Sequence, residues 1–209
     1  MKKYLKFKTI LLAISILVII AGAVALYVAG FEKSIEYKAG TRIEIYIPEG
    51  YEKQDIINIS KESFETDKIL FSEIEKVNKV AGIKVTKYSE EELDTYINKI
   101  IEKYEIDKEE VEYYEIIVPE TKISTIINPY VLPVILITVL SLIYVIIKNY
   151  KSNNKIKIPL KVLGILVITL SIYFSLISIF RLQISIYTMP LALAIYIVTL
   201  LIAVNKKCE

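Results

Sequence analysis

Chemistry at neutral pH needs groups that change charge or attack an electrophilic centre, and this 209-residue chain is short of them. It has no histidine and one cysteine, Cys208. A zinc or haem site built on histidine is excluded, as is histidine acid–base catalysis. A lone cysteine forms neither an internal disulfide nor a CxxC metal or redox motif. Cys208 sits beside Lys206 and Lys207 and reads as a tail thiol, with S-acylation the alternative for a thiol next to a membrane. Carboxylates are plentiful, but pairs such as Glu91/Glu92 and Glu109/Glu110 lie in charge-rich stretches and read as solvated surface, not as acid–base dyads. No G-x-S-x-G, H-E-x-x-H, Walker-type or EF-hand pattern is present. The expectation is a protein that is not an enzyme, with no cofactor and no metal site.

The elements that hold these residues are sharply segregated. The chain is 54% hydrophobic and 24% charged, with a mean hydropathy of +0.48, values that coexist only if the two residue classes are separated along it. The stretch from Glu32 to about Ile127 carries 23 of the 24 acidic residues against 14 Lys and Arg, a net charge of −9. The remainder holds 12 basic residues and one acid, Glu209. An acidic central domain speaks against nucleic-acid binding.

Residues 9–29 are uncharged and apolar, and about 20 such residues at 1.5 Å rise cross a hydrocarbon core of about 30 Å. Ala21-Gly22-Ala23 resembles a signal-peptidase site, but the run is longer than a signal-peptide core of about 7–15 residues, so it reads as an uncleaved anchor. Further spans are expected over 130–147, with Pro133 in the first turn, and over 162–180 and 186–204. Residues 148–161 form a basic loop, 181–185 a tight connection and 205–209 a tail. The N-terminal segment 1–8, that loop and that tail hold eleven lysines, and with four spans all three fall on one side. The positive-inside rule makes that side cytoplasmic and the acidic domain, residues 30–127, extracytoplasmic. The span interiors carry no ionisable residue, which argues against a proton path through this chain alone. Arg181 reads as a side chain snorkelling at the outer interface, or else as a partner contact.

Within the acidic domain, Arg42-Ile43-Glu44-Ile45-Tyr46-Ile47 alternates with period two and predicts a half-buried strand. Pro48-Glu49-Gly50 is a turn, and Tyr51 to Phe64 predicts a helix with Ile56, Ile59 and Phe64 on one side. Strands are expected at Phe71–Val77 and Ile83–Tyr88, separated by Val80-Ala81-Gly82. Ser89 and Glu92 make a capping box for a helix whose apolar face is Leu93, Tyr96, Ile97, Ile100, Ile101 and Tyr104. A last strand is expected over Val111–Val118. The order β-α-β-β-α-β predicts a ferredoxin-like α+β domain after the first span of an α-helical polytopic membrane protein. Its sheet has one face free of helices, with Arg42, Glu44 and Tyr46 on it, and these residues are candidates for partner contact.

The stretch Ile35-Glu36-Tyr37-Lys38-Ala39-Gly40-Thr41 resembles the motif [I/L]-D-F-x-G-G-T that follows the first span of the SecD/SecF export proteins. Glu36 stands for the Asp, Tyr37 for the Phe and Ala39 for the first Gly, while Gly40 and Thr41 match. The layout is also similar to SecF: anchor, outer domain, re-entry at Asn128-Pro129-Tyr130, then a helix cluster. Six spans are usual there, so this chain would be a relative shortened to four. The resemblance implies an accessory subunit of a protein-export complex in the bacterial cytoplasmic membrane, with both termini inside. Its partners would be SecD-like or translocon subunits, and its outer domain would handle emerging polypeptide. Gly40 is expected to permit the chain's sharp exit from the bilayer, which makes the motif architectural. Two other classes stay open: a permease-type subunit meeting an ATPase through the basic loop, and an envelope sensor or anchor with a binding ectodomain.

Overall fold

The computed structural model describes residues 2–73, 79–107, 109, 111–150 and 156–205. It divides into two compact units: Ser34–Lys122, and Met1–Lys33 together with Ile123–Glu209. Residues 206–209 of the expected cytoplasmic tail, Cys208 included, lie outside the described residues, as do Lys151 and Lys155 of the basic loop.

The Ser34–Lys122 unit is a four-stranded antiparallel sheet with two helices. Its strands are β1 (Gly40–Tyr46), β2 (Leu70–Glu73), β3 (Val80–Val85) and β4 (Tyr113–Val118), in the spatial order β2-β3-β1-β4. Between them run α2 (Lys53–Ser63) and α3 (Glu90–Tyr104), numbered after the N-terminal helix α1 (Lys2–Ala29). The alternation in β1 is realised. Ile43, Ile45 and Ile47 are fully buried and meet Ala81, Ile83 and Val85 of β3 on the same face. Ile56 and Phe64 from the first helix region and Leu93, Tyr96 and Ile100 from α3 close the core over them. Phe64 packs its ring 5.3 Å from Tyr96 and 6.0 Å from Tyr88. The predicted capping box is present: the Ser89 amide donates to Glu92 Oε2 at 2.6 Å and the Glu92 amide to Ser89 Oγ at 3.3 Å.

One strand expectation needs correcting. Val80, Ala81 and Gly82 do not separate two strands; they open β3, with Gly82 opposite both Glu44 and Ser72. Glycine and alanine read as turn formers, but here Ala81 fills a core position beside Ile45 while Gly82 leaves the other face bare. The expected strand Phe71–Val77 is represented by Leu70–Glu73, and residues 74–78 lie outside the described residues.

Among the described residues, the second unit has four helices long and apolar enough to cross a membrane: α1, α4 (Ile123–Lys148), α5 (Lys157–Ile179) and α6 (Thr188–Asn205). Helix α5 is central, packed against α1, α4 and α6. Gly22 of α1 is buried against Ser175 of α5, where an added Cβ would lie 2.2 Å from Ser175 Cβ. Small residues let the two backbones meet this closely. Val162, Leu166, Tyr196, Leu200 and Ala203 form a second core, with Val134 and Ile137 of α4 packed on it. Ser15 Oγ donates to Leu11 O and Ser178 Oγ to Phe174 O within their own helices, whereas Tyr173 Oη donates to Thr188 O and Thr138 bonds Tyr196 between helices.

Helix α4 starts at Ile123, seven residues before the expected span, so Pro129 and Pro133 lie inside it and Pro133 is not in the first turn. Prolines often mark a first turn, but the apolar run reaches back to Ile123, and buried Ile126 anchors the extra turns. Each proline removes one helical N–H, freeing the carbonyls of Thr125 and Pro129. At the other end of α1, Gly30 has φ +63° and its amide bonds Leu26 O at 2.8 Å. That left-handed cap turns the chain out of the helix. The role expected of Gly40 therefore belongs to Gly30.

Candidate functional site

The seven residues of the motif stretch are drawn together as a clamped turn. The amides of Tyr37 and Lys38 both donate to Ser34 O at 3.1 Å, and Ser34 Oγ donates to the Glu36 carboxylate. From the adjacent sheet, Lys84 Nζ donates to Glu36 O at 3.2 Å and Lys38 O at 2.8 Å. From beyond β4, the Thr121 amide reaches Tyr37 O at 2.9 Å. Ile35 is half-buried and Ala39 exposed. Gly40, in ordinary extended backbone, starts β1 where an added Cβ would lie 2.3 Å from Val85 O. Thr41 pairs with Val85 on one side and Ile117 on the other. Gly40 thus serves close approach of β1 to β3, and the stretch is built as structure.

In the sequence Lys84 looks like any strand lysine. It is only 4% exposed. Burial pushes its ammonium below the ordinary lysine value, and the Glu36 carboxylate acts in the opposite direction. Its two carbonyl partners replace the water it has lost.

Arg42, Glu44 and Tyr46 do share the helix-free face, as expected. They sit on the sheet's interior strand, and Arg42 Nε pairs with Glu44 Oε1 at 2.7 Å. The two charges largely answer each other. Arg181 belongs to the other unit. It occupies the left-handed position after α5 (φ 54°), with its amide on Ser178 O and the following Leu182 amide on Ile177 O. Its Nη1 donates to Ala29 O, at the end of α1, at 3.3 Å. A cation there complements the carbonyl end of the helix. Nearby, the Ile184 amide bonds Glu32 O at 2.7 Å and Gln183 Nε2 bonds Glu32 Oε1 at 3.0 Å. Arg181 is therefore a local cap.

The most unusual surface is β4. It is an edge strand, and five of its six residues are exposed, including Tyr114 at 62% and Ile117 at 84%. The Tyr46 amide bonds Glu112 O at 2.9 Å, which fixes the ladder. Tyr114, Ile116 and Val118 face β1 with their backbone groups, and Tyr113, Glu115 and Ile117 turn theirs outward. Tyr114 and Ile116 project on the helix-free face; Tyr113, Glu115 and Ile117 project on the other. Tyr88 Oη donates to the Glu115 carboxylate, an interaction that, with burial, raises the Tyr88 phenol above its ordinary value. Edge strands are usually blunted by lysine, proline or brevity; β4 has none of these within its length. The sequence signal was present in Tyr113-Tyr114-Glu115-Ile116-Ile117-Val118, which has no polar face.

Among the described residues, no group of three or more histidine, cysteine, aspartate or glutamate side chains is placed to hold a metal. In comparison with known proteins, no family model matches the chain, and no curated protein matches it significantly.

Proposed function

We propose that the chain is a SecF-like accessory subunit of a protein-export complex, non-enzymatic and polytopic, whose ferredoxin-like outer domain meets polypeptide leaving the membrane. One observation carries the reading. The stretch that resembles the SecD/SecF motif folds as a clamped turn delivering the chain into the interior strand of a β-α-β-β-α-β sheet. The strand order β2-β3-β1-β4, antiparallel throughout, is the arrangement a ferredoxin-like domain requires. Four apolar helices and the lysine distribution support a multi-pass chain with both ends cytoplasmic.

Purification of the full chain in mild detergent tests the assignment. Recovery of SecD-like or translocon subunits supports it. Recovery of a stoichiometric ATPase overturns it in favour of a permease-type assembly. Orientation is tested separately by fusing a reporter enzyme after Ile127 and after Lys155. Opposite activities are expected at the two points, and the same activity at both refutes the topology.

A further inference from the structure

Edge strand β4 offers three outward N–H and C=O pairs, at Tyr113, Glu115 and Ile117, flanked by exposed aromatic and aliphatic side chains. An extended segment laid along it would gain main-chain hydrogen bonds from these groups and side-chain contacts on both faces. Charge says which kind of segment. From Glu109 to Thr121 the sequence has five glutamates and no lysine or arginine, and Glu115 stands at the centre of the outward set. A second copy of β4 is a poor occupant. The antiparallel register with the most overlap sets Glu115 against its own copy, and like charges directly opposite oppose pairing. Sliding that register two residues one way brings Pro119, which lacks an N–H, opposite Tyr113; sliding it the other way carries the pairing past the start of β4 onto Val111.

We propose that β4 is a strand-addition site for an extended polypeptide segment of the pattern apolar-x-basic-x-apolar. The basic residue lies opposite Glu115, and the apolar residues lie opposite Tyr113 and Ile117. Tyr114 and Ile116 contact the intervening positions from the other face. The inference rests on the export reading only for the source of the segment, emerging polypeptide; the docking edge itself stands on β4.

The test uses the full chain in nanodiscs and a fluorescently labelled peptide, Ser-Val-Thr-Lys-Thr-Val-Ser, read by anisotropy. Replacing its lysine with glutamate is expected to weaken binding about fivefold to tenfold, the range of an opposed charge pair turned to a like one. Ile117→Pro removes an outward N–H without touching the β1–β4 ladder and is expected to weaken binding at least about tenfold. Ile117→Thr keeps the backbone and is expected to lose less than Ile117→Pro. Far-UV circular dichroism shows whether each variant keeps its sheet. If Ile117→Pro unfolds it, Tyr113→Pro, which also removes an outward N–H, replaces it. Equal binding of the lysine and glutamate peptides overturns the charge register. Unchanged binding by a folded proline variant overturns strand addition, as does a native chain that ignores the peptide but dissociates from a dimer on the proline substitution. Peptide binding without translocon co-purification keeps the docking edge and defeats the export reading; the reverse result defeats the docking edge alone.

Discussion

Gly40→Ala tests whether the motif stretch is architecture. The added Cβ would lie 2.3 Å from Val85 O and 3.2 Å from Thr86 Cα, against the 3.4 Å at which ordinary contact begins. Relief needs a shift of about 1 Å between β1 and β3, and the obstacle is backbone, which cannot rotate away. Overpacking of this kind costs about 1–3 kcal/mol. The displacement also pulls on the turn whose carbonyls hold Lys84, so the middle of that range, about 2 kcal/mol, is the working figure. That is a change of about thirtyfold in the opening equilibrium. The assay is amide hydrogen exchange of the full chain in nanodiscs, resolved by peptide mass spectrometry, because it reads the sheet separately from the membrane-type helices. Protection in β1 and β3 should fall by about that factor, while peptides from α5 and α6 stay unchanged. Gly30→Ala is the contrast. Gly30 has φ +63° and open space around it, so its cost is conformational, about 1–2 kcal/mol, and falls at the end of α1. Protection within twofold of the native sheet in Gly40→Ala would refute the close-approach argument.

Helix packing offers a compensation test. Gly22→Ala drives a Cβ into Ser175 and should destabilise the α1–α5 contact by about 1–3 kcal/mol, whereas Ser175→Gly in the same chain should restore most of it. Loss of helix association in detergent titration, without rescue, would place the clash elsewhere. Glu105 ends α3 in the left-handed region at φ 50°, so Glu105→Gly is expected to raise the stability of the Ser34–Lys122 unit by about 1 kcal/mol, measured by urea unfolding. For alkaline pH the signs oppose. Lys84 is held below 10.5, so between its own value and 10.5 the unfolded state binds more protons, and stability from this group rises with pH. Tyr88, Tyr96 and Tyr104 are held above 10, Tyr96 by nearly complete burial, so their contribution is lost as pH climbs past 10. Urea unfolding followed by circular dichroism should show stability levelling and then falling through this region, and Lys84→Gln should remove the rising limb alone.

Periodicity carried most of the fold. The 2-period of Arg42–Ile47 and the 3.6-period of Leu93–Tyr104 each name one inward face: Ile43, Ile45 and Ile47 are buried, and Leu93, Tyr96 and Ile100 are buried with Ile97, Ile101 and Tyr104 half-buried beside them. Boundaries failed where one residue type serves two ends. Pro129 and Pro133 signal a helix start by their missing N–H, but nothing in proline itself forbids the apolar turns before it. Gly82 signals a turn by its freedom and was used for its lack of side chain. Gly30 took the turning role expected of Gly40 for the same reason: sequence shows that a glycine is present, while only backbone angles and neighbours say whether φ or space demands it.

The candidate site was hardest to see, because its residues are ordinary and their neighbours are remote. Lys84 becomes a clamp only when the turn that begins about 50 residues earlier folds over β3. Conversely Arg42 and Glu44, the charged pair that alternation put forward, spend their charge on each other. An apolar run such as that of β4 usually marks a strand buried on both sides. β4 lies instead at an edge with both faces exposed. Surface of that kind costs solubility and invites pairing, so a strand with this composition makes physical sense where something periodically covers it. The same reasoning separates β4 from β2, the opposite edge. Among the described residues β2 spans Leu70–Glu73, with its described side chains half-buried. β4 has the length for several main-chain hydrogen bonds, and unlike the described part of β2 it has the exposed apolar side chains to make pairing favourable.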